Sequence, residues 1–155
     1  DKVLHVDATG YGALNALIGL GAVSGAFLLA AQMFTSHRGR LLIVANLAYP
    51  LVLAAFAFNS NFLISLPLAY CLGLGFMLQA NNMNSLIQMR VDDAMRGRVM
   101  SLYTLTFFGL SPFGSLFAGA LAERMPLSLA IGICAAIMLA GSLLIHWRVP
   151  EVRRM

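Results

Sequence analysis

Five apolar runs without a formal charge, divided by short segments that carry all of it, dictate what this chain can fold into. They extend from Gly10 to Met33, Leu41 to Phe58, Phe62 to Met89, Val99 to Ala122 and Leu127 to Trp147, with lengths of 24, 18, 28, 24 and 21 residues. A helix rising about 1.5 Å per residue needs about 20 apolar residues to cross about 30 Å of hydrocarbon. Four runs reach that length and the second is within range. Helix is the form available to them, because backbone groups in lipid must be satisfied within the segment and no β-barrel alternation is present. A soluble fold is excluded by its surface: 60% of residues are hydrophobic and 10% charged, with mean hydropathy +0.83. A soluble domain has about 25% charged residues to cover itself. The expectation is an all-α membrane bundle of five transmembrane helices.

The net charge of +4 is a topology signal and not a nucleic-acid footprint, since the basic residues flank the apolar runs and no nucleic-acid motif is present. The segments after the first, third and fifth runs hold Arg38, Arg40, Arg90, Arg96, Arg98, Arg148, Arg153 and Arg154; the other three hold Lys2 and Arg124. Eight against two, in strict alternation, puts the C-terminus in the cytoplasm and Asp1 outside. No signal peptide opens the chain. Five spans with an outside N-terminus suit a segment whose preceding helices are missing. Cys71 and Cys134 lie inside apolar runs without CxxC spacing and read as small buried hydrophobes. No cofactor or metal site is expected.

Polar residues inside the runs are the candidates for function. Asn15, Asn46 and Gln79 lie deepest. Asn81, Asn84, Ser85 and Gln88 share one helical stripe, with Asn82 beside it; such residues face protein or water. Gly21-x-x-x-Gly25 and Ser115-x-x-x-Gly119 have the spacing that lets helices approach closely in lipid. Pro50, Pro67 and Pro112 each remove a backbone donor. Pro112 is flanked by Gly109 and Gly114, which makes it a candidate hinge. No Asp, Glu, Lys or Arg lies within a run, which excludes a buried carboxylate relay or a voltage sensor in this segment. No catalytic motif is present.

Arg-Gly-Arg occurs twice, as Arg38-Gly39-Arg40 and Arg96-Gly97-Arg98, each directly before a run. Asp92 and Asp93 are placed to cap a helix starting near Ala94. The two arginines behind them could anchor to headgroups or latch onto neighbouring helices.

The stretch from Asn84 through Arg98 to Tyr103, continuing through Gly109-Leu-Ser-Pro-Phe-Gly114 to Ala122, resembles the C-terminal half of a major facilitator superfamily transporter. It is most similar to the drug and siderophore exporters of the enterobactin-exporter-like branch. Gln88, Asp93, Arg96, Gly97 and Arg98 match that pattern; Asp92 stands where the family has proline, and His37 where an acidic residue is expected. The resemblance covers the whole chain and implies that the runs are helices eight to twelve of twelve. It implies a bacterial plasma-membrane location and efflux of a drug-like or siderophore-like small molecule by alternating access. The partners implied are the lipid bilayer, the N-terminal half of the same transporter and the substrate. It also implies that the first, third and fourth runs line the cavity, which favours Asn15, Gln79 and Asn82 over Asn46 as cavity residues. Arg38, Gly39, Arg40, Asp93, Arg96, Gly97 and Arg98 would form the cytoplasmic latch. A permease subunit of an ATP-driven transporter and an intramembrane enzyme stand as alternatives.

Overall fold

A computed structural model of the protein describes residues 7–31 and 38–148, apart from the side chains at positions 31, 38–43, 82, 86 and 145. The described residues form five helices: α1 (Ala8–Ala31), α2 (Arg38–Phe58), α3 (Phe62–Arg90), α4 (Asp93–Arg124) and α5 (Leu127–Arg148). Four of them, α1, α3, α4 and α5, are long and apolar enough to cross a membrane; the described apolar stretch of α2, Val44–Phe58, is shorter. Each helix has apolar residues all round rather than one apolar stripe, the pattern of segments surrounded by nonaqueous contacts.

The helix ends differ from the apolar runs in an instructive way. α1 begins at Ala8 because Asp7 caps it: its carboxylate accepts the Gly10 N–H at 2.9 Å. The polar segment Arg90–Arg98 is not a loop. Only Val91 and Asp92 leave the helical state there, and Asp93 to Arg98 form the first turns of α4. Apolarity stops at the membrane surface, whereas helix formation continues through arginine, methionine and alanine, all good helix formers. Asp92 occupies the N-cap position of α4, but its side chain makes no capping hydrogen bond.

The α2–α3 turn is closed by its own side chains. Asn61 caps α3 by accepting the Leu63 N–H at 2.9 Å, and Asn59 Nδ2 donates to the Asn61 carbonyl at 2.7 Å and to Ser65 Oγ at 2.8 Å. Ser65 is fully buried, and this turn satisfies it.

Packing is inverted relative to a soluble protein. The buried apolar residues are mostly small, including Ala45, Ala57, Ala69, Ala130 and Ala135, while Phe27, Leu105, Phe113 and Leu116 point outward. Helices in lipid gain little by burying large side chains and associate through small ones. The tightest pair is α1 against α3. A Cβ on Gly21 would collide with the Tyr70 carbonyl oxygen, one on Gly73 with the Ile18 carbonyl oxygen, and one on Gly25 would lie 2.9 Å from the Leu74 carbonyl oxygen. Glycine is required at these positions because backbone meets backbone there. Ser24 Oγ and Tyr70 Oη add a hydrogen bond of 2.8 Å across the pair. α2 packs between α3 and α5. α4 behaves differently: none of its residues is buried, and it touches α5 and α3 only sparsely.

Candidate functional site

Because α4 stands off from the bundle between its two-residue connections, Val91–Asp92 and Met125–Pro126, a space opens behind it. It is a cavity of about 530 Å³ bounded by α2, α3, α4 and α5. Its walls are largely apolar and aromatic, with Tyr49, Phe76, Tyr103 and Phe107 prominent. Tyr103 and Phe107, one turn apart on α4, have ring centroids 6.2 Å apart at an interplanar angle of 30°. Phe107 meets Phe108 edge-on at 5.4 Å.

The polar part of the wall is built around Asn46, and the sequence explains why. Pro50 has no N–H, so the carbonyl four residues earlier, that of Asn46, loses its helical donor. The Ser142 hydroxyl on α5 supplies the replacement at 3.2 Å. The Asn46 side chain in turn accepts a hydrogen bond from Gln79 Nε2 on α3. Asn46, Gln79 and Ser142 all line the cavity, so three helices are joined by one polar node on its surface. Replacing Ser142 by alanine is expected to cost about 1 kcal/mol, since it strands a carbonyl within the bundle. The same change on a Pro50→Ala background is expected to cost only a few tenths, because alanine restores the helical donor. Thermal unfolding of the four proteins in detergent measures both values.

The other residues singled out in the sequence fall in different places. Asn15 is exposed on α1, donates to the Tyr11 carbonyl of its own helix at 2.9 Å and is not part of this wall. The side chain of Asn82 lies outside the described residues, as do those of Arg38 and Arg40, with Gly39 between them in the first turn of α2. Asp93 and Arg96 pair with each other at 2.5 Å within the first turns of α4. This ion pair lies within one helix, and an exposed pair of this kind adds little stability. Gly97 has no atom within 4 Å of a virtual Cβ, and Arg98 is exposed beside it. Gly109, Pro112 and Gly114 are exposed on α4, which is helical throughout. Gln88 Nε2 donates to Asn84 Oδ1 at 3.0 Å along the polar stripe of α3.

Tyr49, Tyr103, Phe107 and Ser142 are among the wall residues that sequence reasoning did not single out, and Asn46, one of the three deepest polar residues, was ranked below Asn15, Gln79 and Asn82. One signal was available: the four-residue spacing from Asn46 to Pro50, which marks a carbonyl in need of a new donor. The rest depends on which helices meet.

The wall also has a consistent depth. Asn46 is eight residues into α2 from Arg38, and Ser142 is six residues before Arg148 at the end of α5. Both positions are roughly 9–12 Å along the helix axis from an arginine-bearing end. Most of the cavity's lining thus lies in the half of the bundle nearer the basic ends, with Leu53 and Phe76 reaching to mid-helix or beyond. Among the described residues, no group of His, Cys, Asp or Glu gathers as a metal site would require.

Comparison with known proteins gives one result. A family profile described as transmembrane secretion effector, of the major facilitator type, matches residues 1–155. No curated protein and no solved structure matches the chain.

Proposed function

Since the chain belongs to the transmembrane secretion effector family of the major facilitator superfamily, whose members are membrane transporters and not enzymes, we propose that it takes part in secondary-active efflux of a small organic molecule by alternating access. The observation that carries this reading is the cavity behind α4, with its polar node and most of its lining in the basic half of the bundle. An exporter collects its cargo from the cytoplasmic side, and the arginine asymmetry assigns that side to the basic ends. In this reading all five helices cross the membrane, α2 through its full length from Arg38, and they correspond to the eighth to twelfth helices of a twelve-helix transporter in a plasma membrane. An N-terminal half completes the translocation path. The Arg96–Asp93 turn lies at the cytoplasmic face, where a latch would act.

Inside-out membrane vesicles containing the full-length transporter test this function. They are expected to accumulate a fluorescent apolar compound when an ion gradient is imposed, and to stop when an ionophore collapses it. Accumulation that needs ATP without a gradient would favour an ATP-driven permease instead. The same vesicles test orientation on a background with Cys71 and Cys134 replaced by alanine. An Ala94→Cys variant should react with an impermeant maleimide in inside-out vesicles, and a Ser60→Cys variant only in right-side-out ones. The opposite pattern would reverse the assigned topology.

A further inference from the structure

Resting on the reading of this cavity as the substrate site, we infer that it selects uncharged aromatic molecules carrying an amide, or another closely spaced hydrogen-bond donor and acceptor. The first support is electrical. None of the described residues on the wall is an Asp, Glu, Lys, Arg or His. An ion drawn from water into such a space would lose hydration without gaining a counter-charge, which is strongly unfavourable.

The second support is the hydrogen-bond inventory. Asn46 and Gln79 each carry one amide oxygen and one NH2 group. Their mutual bond uses one oxygen and one NH2. Among the described residues, nothing else bonds the remaining NH2 of Asn46 or the remaining oxygen of Gln79. Exchanging oxygen and nitrogen on both side chains leaves the same remainder, one unused NH2 group and one unused amide oxygen on two residues of the same wall. A ligand amide presents the complementary pair, a carbonyl for the NH2 and an N–H for the oxygen. A simple hydrocarbon leaves both groups unsatisfied, which a dry site penalises.

The third support is shape and surface. Phe76 lines the space from α3, and the Tyr103 and Phe107 rings, inclined to each other by 30°, line it from α4. Flat aromatic surfaces pack well against such rings. The volume of about 530 Å³ lies within the range of about 300–1,000 Å³ usual for small-molecule sites.

The test uses full-length protein in lipid nanodiscs and four probes of one outline: 2-naphthamide, 2-naphthoate, 2-naphthylmethylammonium and 2-ethylnaphthalene. Equilibrium dialysis is read against empty nanodiscs. The amide is expected to bind about tenfold more tightly than either ion and than the hydrocarbon, the factor that about one net hydrogen bond supplies. In a variant combining Asn46→Leu and Gln79→Leu, the amide should fall to the affinity of the hydrocarbon, while hydrocarbon binding persists and shows that the cavity is still formed. Equal or tighter binding of either ion, or an amide preference surviving in the double variant, overturns the inference. Transport is scored separately in vesicles. If the amide binds selectively but is not moved, the selectivity stands and the transport reading of this cavity fails. If both ions are exported as fast as the amide, the transport reading stands and the selectivity fails.

Discussion

Alanine in place of Gly73 is expected to destabilise the bundle by about 3 kcal/mol, because the added methyl meets the Ile18 carbonyl and two backbones must separate to admit it. The melting midpoint in detergent should fall by roughly 6–12 °C for a chain of this size. The same substitution at Gly119 is expected to act in the opposite sense. No atom lies within 4 Å of its virtual Cβ, so the change removes only the backbone entropy cost of a helical glycine, a gain of about 1 kcal/mol. The contrast is the diagnostic part: equal chemistry on two helices, with opposite signs set by whether another helix is in contact. If Gly73→Ala melts like the unaltered protein, the α1–α3 backbone contact does not exist as described.

These two glycines also show how far a sequence can be read. Gly21-x-x-x-Gly25 and Ser115-x-x-x-Gly119 are the same local pattern. In the structure the first is pressed against α3 and the second has no helix beside it. Spacing records which residues share a helix face, not what that face meets. Gly73, the partner of the first pattern, follows Ala69 at the same four-residue spacing, and Ala69 is fully buried. The helices themselves were readable because the exclusion of charge from lipid is a one-dimensional constraint. Their ends were less so: capping by Asp7 depends on local geometry rather than hydropathy, whereas the start of α4 at Asp93 agrees with the helix expected from near Ala94. For the cavity, depth within the runs pointed to Gln79 and Asn46 alike. The choice of Asn15 over Asn46 followed the resemblance, whereas in the structure Asn46 is the residue bonded to Gln79.

The polar node yields the second large effect. Asn46→Leu alone should reduce efflux at least about tenfold and destabilise the protein by about 1 kcal/mol, since the Gln79 amide is left in an apolar wall without its partner. Adding Gln79→Leu should restore most of the stability while leaving efflux low. Removing both members of a half-buried pair costs less than stranding one of them. A purely structural node would behave otherwise, with efflux returning together with stability. Melting curves and initial efflux rates on the unaltered protein and these two variants separate the two roles.

α4 is tied at each end by a connection of two residues and is hardly held between them. A rod fixed in that manner resembles a strung bow. It can flex at mid-length or turn about its own axis, but it cannot slide or swing away as a lid would. In the hinge reading proposed from the sequence, the Gly109–Gly114 stretch is where such a bow is weakest, since Pro112 has no N–H to donate to the Phe108 carbonyl. Widening the space behind α4 is therefore a bending mode whose displacement is greatest near Pro112 and vanishes toward Asp92 and Pro126. If this cavity is the substrate site, as proposed, the size of molecule that can enter is set by the stiffness of one helix.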